Sequence, residues 1–386
     1  MSANDAVAAL QTRVLERLGA DLASAWDALD PGGHPFTTHA FLHGLEADGC
    51  LRADLGWRAH HVTLWRGERL VAAAPAYRKM NSHGEFVFDH AWADAWARCG
   101  LPYYPKLLCA VPYSPVTGPR LRVAADEPPA TRIALAQALG DEAGARGWSG
   151  AHVNFPRADD AQALEAAGWL RREDVQFHWT HGGWETFDDF LGALNAKRRK
   201  EIRRERSRVA ADGWVFETAS GACLDEATID RLHGLYVGTF ADKGNYPALT
   251  RAFFLRLARD PRDPLLAVIG RRAGRIGAMA LCLRGTDTLY GRYWGSDDPT
   301  PGLHFEACYY QGIEWCIRHG IRHFEPGAQG EHKIARGFLP AATTSFHWLL
   351  EPTLRTAVAR ALERERRAVA GYAQAAAAHS PFAERA

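Results

Sequence analysis

The chain has 386 residues, 47% of them hydrophobic, and its 46 basic and 45 acidic side chains leave a formal net charge of +1. That length exceeds what one hydrophobic core supports and predicts two domains, while near-neutrality gives no overall pull toward nucleic acid or an anionic membrane, so such binding needs a local patch. Seven cysteines without a CxxC pair, an N-terminal stretch MSANDAVAALQTRVLERLGADL with charges throughout, and no apolar run of membrane length predict reduced thiols, no signal peptide, no transmembrane segment and a cytoplasmic protein.

In chain order, HHVTLWRGERLVAAAPAY reads as a hairpin turning around Gly67, because alternating apolar positions flank turn residues. ARGWSGAHVNFP reads as a helix end, a glycine turn and a strand. KRRKEIRRERSR, Lys197 to Arg208, reads as a helix with eight basic residues in twelve, and YVGTFADKGNYPALTRAFF as helix, polar turn, helix. LLAVIGRRAGRIGAMALCL predicts a second hairpin around Gly274. GRYWGS predicts a strand, SDDPTPG a turn, and LHFEACYYQGIEWCIRHG a helix. IRHFEPG then gives a strand, followed by a polar loop through Glu331, His332, Lys333 and Arg336 to Phe338. From Pro352 a tail helix carries Leu354, Val358, Leu362 and Val369 on one stripe.

A shift of 169 residues aligns Phe155, Ala166, Gly168 and Leu170 with Phe324, Ala335, Gly337 and Leu339, and Phe177-His178-Trp179 with Phe346-His347-Trp348. The same elements precede each block, so the chain is a duplication. The hairpins align at a different offset, which places an insertion in the first half at about Met80 to Gly118.

The blocks YWG, LHFE-x-CYYQGI and PGAQGEHKIARGF resemble the signature of a bacterial FemAB-like family of predicted N-acyltransferases (peptidoglycan biosynthesis/recognition-like). The resemblance runs from HPFTTHAFLHGLE through PYYPKL and PYSPVTGPR to Pro340. It implies an α/β chain of two tandem GCN5-related N-acetyltransferase-like domains, each a mixed, largely antiparallel sheet flanked by helices, the plan of the FemABX ligases. The predicted order of hairpin, strand, helix, strand, helix and last strand agrees. The expected domains are residues 1–174, residues 175–350 with the active site, and a C-terminal helix 351–386 packed on the first domain.

In such a fold the donor's pyrophosphate sits at the start of the helix after the fourth strand, where backbone N–H groups are free. Here that start is Ser296 to Gly302, with two aspartates and without the usual acetyl-CoA fingerprint; RRAGRIGA imitates the fingerprint but lies on the hairpin. Acyl transfer to an amine needs a proton acceptor and an oxyanion contact. His332 and Glu331 are the candidate bases, Lys333 and Arg336 the candidate oxyanion or phosphate contacts, and His304 or Glu306 a further catalytic residue, though positions two apart on a helix face different ways. Tyr293, Trp294, Tyr309, Lys243 and Gln329 are candidate substrate contacts, while core packing competes for Tyr310. Lys197, Arg198, Lys200, Arg203 and Arg204 form a candidate anion surface, although Glu201 and Glu205 are placed to pair with Arg204 and Arg208. His39 and His43 stand at metal-binding spacing with no third ligand, so no metal is assigned.

These residues predict an N-acyltransferase that moves an acyl group directly from an activated donor to a small-molecule or peptide amine, with acyl-CoA as co-substrate and no tightly bound cofactor. An aminoacyl-tRNA-dependent ligase of peptidoglycan-precursor type is the alternative, and a non-catalytic module binding RNA or a partner is the third reading. No DNA partner is expected, and peripheral membrane contact stays open.

Overall fold

The computed structural model describes residues 9–242, 244–328 and 330–383. The chain divides into two compact units, Met1–Asp174 with Ala342–Ala370, and Val175–Ala341 with Gly371–Ala386. The first two of the three changes of unit fall inside long strands, Leu170–Thr180 and Leu339–Leu349, the two that carry the repeated Phe-His-Trp triplet, and the third falls inside the tail helix. Trp179 and Thr180 pair with Phe324 and His323 in the second unit, and Ser345–Leu349 pairs with Gly150–Asn154 in the first. Each repeat thus ends by giving its last strand to the other unit's sheet. Residues 342–370 accordingly fall in the first unit, because Phe346 is buried there among Leu135, Leu139 and Trp148; Phe177 is buried in the second among Leu289, Tyr310 and Phe324.

The first unit holds two sheets. One is antiparallel, in the order Leu10–Leu15, His61–Arg66, Arg69–Ala74, Arg122–Val123. The other runs Trp57–Ala59, Ala76–Lys79, Lys106–Cys109, Gly150–Asn154 and then Ser345–Leu349, with a single parallel pair, Lys106–Cys109 beside Gly150–Asn154. Pro75 has no N–H to give a ladder, and the chain passes from one sheet to the other at that residue. Leu354, Val358 and Leu362 of the tail helix (Pro352–Ala378) pack with Trp92, Trp96 and Tyr103 from the inserted segment. From Gly371 the tail belongs to the second unit, where Ala376 and Phe382 join the core.

In the second unit the strands run Trp214–Ser220, Leu265–Arg272, Arg275–Arg284, Thr288–Ser296, His323–Glu325 and then the Trp179–Thr180 end. The hairpin turns on Ala273 and Gly274, both at positive φ, the geometry a two-residue turn needs to match strand twist. Only Thr288–Ser296 and His323–Glu325 are parallel, and they pair over just three residues, ending at Tyr290 and Glu325. The first strand continues to Ser296 along Arg275–Arg284, while the chain after Glu325 turns away at Pro326. The loop bearing most of the candidate residues starts at this fork.

Behind the fork, the helix ending at His319 lies against Phe324, which is fully buried. A Cβ added at Gly312 would stand 2.5 Å from the Phe324 ring. Gly to Ala inside a helix is ordinarily stabilising. Here we expect the reverse: Gly312→Ala lowers stability by about 1–3 kcal/mol through overpacking, read as a lower denaturation midpoint at unchanged m-value.

Candidate functional site

The segment after the fork is shaped by glycines. Gly327, Gly330 and Gly337 have φ of 98°, 112° and 91°, and between the last two the chain makes a tight 3₁₀ helix, Glu331–Arg336. Its side chains divide sharply. His332 is exposed, whereas Lys333 and Arg336 are buried, at 1% and 6% exposure. Gly330 is needed on two counts, its positive φ and a missing Cβ that would stand 2.2 Å from the His332 ring.

The facing helix is irregular. After Gly302 it makes one α-turn, Leu303–Phe305, widens to a π-helical segment, Glu306–Tyr310, and resumes as Gln311–His319. Such wide turns inside helices are frequent at functional sites. Tyr309 and Tyr310 point to different partners. Tyr309 Oη lies 2.9 Å from His332 Nε2, and Tyr310 Oη donates to Glu205. His304 stands edge-on to Trp294 and Tyr309, with ring centroids 5.3 Å away in each case, and 6.4 Å from His332. Glu306 turns away from them, as the spacing argument requires for one of the pair. It is 4% exposed and accepts from Arg206 Nε and Nη2 at 3.1 and 3.0 Å and from Gln311 at 2.8 Å.

The basic helix, Ala196–Ala211, is capped by Asn195, whose side chain accepts from Arg198 N–H. Its inner face is joined to the site. Glu205 accepts from Arg336 Nη2 at 2.7 Å, while Arg336 Nη1 donates to the His332 carbonyl at 2.7 Å and its guanidinium lies 3.5 Å over the Phe305 ring. Arg206 also reaches Glu314 at 2.8 Å. Glu205 is therefore drawn to the loop instead of pairing along its own helix with Arg208, and Glu201 pairs with Arg198 at 2.7 Å, not with Arg204. On the outer face Lys197, Lys200, Arg203, Arg204 and Arg208 are exposed, with only Arg203 reaching a carboxylate, Asp188 at 3.2 Å, among the described residues.

Burial sets the proton affinities. Partial desolvation of its ring, then the Arg336 and Lys333 charges, hold His332 below the usual imidazole value, so the neutral form dominates at pH 7. Burial brings the Lys333 ammonium down to about 8, and its Nζ donates to the Gly327 carbonyl at 2.6 Å. Tyr309 and Tyr310 are pushed upward by burial and stay protonated.

The structure thus brings His332, His304, Trp294 and Tyr309 together, with Lys333 and Arg336 beneath them. Glu331 is bonded instead to Tyr372 of the tail, at 2.8 Å. Tyr293 stands edge-on to Tyr236, 5.1 Å away. Lys243 and Gln329 lie outside the described residues. Lys333 and Arg336, read from the sequence as anion contacts, are engaged within the protein. Glu205, Arg206, Glu314, Phe305 and Tyr372 escaped the sequence reading, since a charged helix face gives no sign of which member turns inward. At Ser296–Gly302 the aspartates are bound by arginines, Asp297 by Arg231 and Asp298 by Arg272 at 2.8 Å.

A mixed sheet with one parallel fork in each of two repeated units is the plan of two tandem GCN5-related N-acetyltransferase-like domains. The chain belongs to the FemAB-like family (peptidoglycan biosynthesis/recognition), which it matches over residues 20–384. No curated protein matches the sequence. Among solved structures, the crystal structure of FemX is similar over 90% of this chain and 100% of that one, at 12% identity and a TM-score of 0.52. L-PGS from Bacillus licheniformis is similar over 89% and 97%, at 10% identity and 0.54. At these identities the likeness is one of fold. Among the described residues no helix is long and apolar enough to cross a membrane.

The Glu205–Arg336 pair is mostly buried. Removing one partner leaves an uncompensated charge, so Glu205→Ala is expected to cost about 3 kcal/mol. Adding Arg336→Met should recover part of that loss, as followed by chemical denaturation of the single and double variants.

Proposed function

We propose that this transferase forms an amide bond on a peptidoglycan-related amine, taking an aminoacyl group from tRNA, in the cytoplasm. The observation that carries the choice of donor is the contrast between two surfaces. At the turn that would hold the diphosphate of CoA, the neighbouring Arg231 and Arg272 are already taken by Asp297 and Asp298, so their charges are spent within the protein. The basic helix beside the loop presents exposed lysines and arginines suited to a phosphate backbone. The family description supplies the acceptor class.

His332 is the proton acceptor in this reading. When Nε2–H is donated to Tyr309 Oη, the lone pair on Nδ1 is available to a substrate amine. The amine nitrogen attacks the ester carbonyl, the C–N bond forms, and the ester C–O bond breaks. His332 passes the proton taken from the amine to the departing ribose hydroxyl. Lys333 fixes the Gly327 carbonyl and Arg336 fixes that of His332, so both position the loop.

His332→Ala should lower transfer by about 10²–10⁴-fold while leaving the thermal midpoint within a degree or two, because the side chain is exposed. Protonation of His332 removes the acceptor. With its affinity held below the ordinary value of 6.5, the rate should be flat near neutrality and fall only as pH drops below about 6.5. Replacing Lys197, Lys200, Arg204 and Arg208 by Gln should weaken tRNA binding and make its logarithmic salt dependence shallower, by roughly one unit of slope for each phosphate no longer neutralised. Undiminished transfer from acyl-CoA by that variant, with no transfer from aminoacyl-tRNA by the wild type, would overturn the choice of donor.

A further inference from the structure

The first unit contains an arrangement of arginines that neither the fold nor the transfer reaction explains. Arg58 and Arg78 are directly opposed in the antiparallel pair Trp57–Ala59 and Ala76–Lys79. Like charges facing each other across a strand pair are destabilising. Many arginines of this chain are drawn to carboxylates, but among the described residues Arg17, Arg58 and Arg78 have no carboxylate and no hydrogen-bond partner. The Nε of Arg78 is a buried donor left unmatched, as is the indole N–H of Trp57, a residue only 1% exposed. A buried donor without a partner carries a desolvation cost that a ligand acceptor would relieve.

All four residues line one cleft of about 490 Å³. Two carboxylates share its wall. Glu46 is engaged by the Leu18 N–H and by His61, each at 2.8 Å, which leaves Glu16 to face the three arginines. Lys79 Nζ lies 3.6 Å over the Trp57 ring, its proton affinity brought down to about 7 by burial.

We propose that this cleft binds a phosphoryl group, carried by a soluble small molecule or by a lipid head group. A tetrahedral dianion between Arg58 and Arg78 turns their repulsion into two charge-assisted contacts, each able to be bidentate. With a modest turn of the Arg78 guanidinium its Nε joins them, and the Trp57 and Trp148 rings form the apolar part of the wall. The site lies within the first unit and does not depend on the donor or acceptor assigned to the second.

The test is calorimetric titration of the full chain with pyrophosphate at low salt, and sedimentation with phosphatidylglycerol vesicles, each repeated on R58Q, R78Q and, as a control on the exposed side of the tail helix, the double variant R360Q/R364Q. One pyrophosphate per chain is expected in the cleft, weakened at least tenfold in R58Q and in R78Q and unchanged in R360Q/R364Q. Binding to vesicles alone, abolished in R58Q, would assign the phosphoryl group to a lipid. Without ligand, R58Q should melt no lower than the wild type, since one of two opposed cations is gone, and that guards against mistaking misfolding for weakened binding. Absence of binding to either probe, or binding that R58Q and R78Q leave untouched, would overturn the site.

Discussion

The contact on which the second unit's site depends is the carboxylate of Glu205. One oxygen receives Arg336, the other the hydroxyl of Tyr310, so a single side chain of the basic helix holds both the 3₁₀ turn that carries His332 and the π-helical segment that carries Tyr309. Arg336 in turn fixes the main chain of His332. The glycines at 327, 330 and 337 let the loop take its path, yet the same freedom leaves it without an intrinsic shape. A buried ion pair with its remaining lone pairs satisfied is a costly way to gain stability. Here it fixes which of many loop conformations is occupied, and that is what presents an imidazole at a set position.

This also gives the helix two different faces with two different duties. Ile202 and Val209 are buried, Arg198, Arg199, Glu205 and Arg206 are half-buried, and Lys197, Lys200, Arg203, Arg204 and Arg208 face solvent. Had all eight basic residues been solvated, the helix would have had little reason to stay near the loop. Arg206, between Glu306 and Glu314 and 4.5 Å over the Phe187 ring, anchors it a second time. A polyanion on the outer face would therefore bind a surface already fastened to the reacting centre.

Much of the architecture was legible in the sequence because it rests on patterns that hydrophobic burial enforces: alternating strands, glycine turns and the repeated Phe-His-Trp triplet. The exchange of terminal strands was not legible, since Phe177 and Phe346 are buried either way and the triplet does not say in which core. In the site, the positions of His332, Lys333 and Arg336 in one polar loop were visible, but their division into one exposed and two buried side chains was not. That division depends on Gly330 and on the distant Glu205, and Glu205 reads locally as an ordinary helix-surface acid. Nothing near Glu331 in the sequence announces its partner, Tyr372 of the tail helix, forty-one residues later.

The duplication gives each unit a parallel fork, and the two forks have had opposite fates. In the second unit the strands part after Tyr290 and Glu325 and a glycine loop fills the mouth with titratable groups. In the first, the pairing of Lys106–Cys109 with Gly150–Asn154 is prolonged instead. Gly118 bridges Pro156 in parallel, its N–H reaching the Phe155 carbonyl and its carbonyl the Arg157 N–H, each at 3.1 Å. Arg120, fully buried, donates from Nε to the Asn154 carbonyl at 2.8 Å, and its backbone N–H is taken by Asp160. Backbone and guanidinium thus fill the first unit's fork, and Asp160, with its affinity raised to about 6 by burial, serves there as a structural acceptor. The same parallel pair is opened by a glycine loop in one unit and closed around a buried arginine in the other.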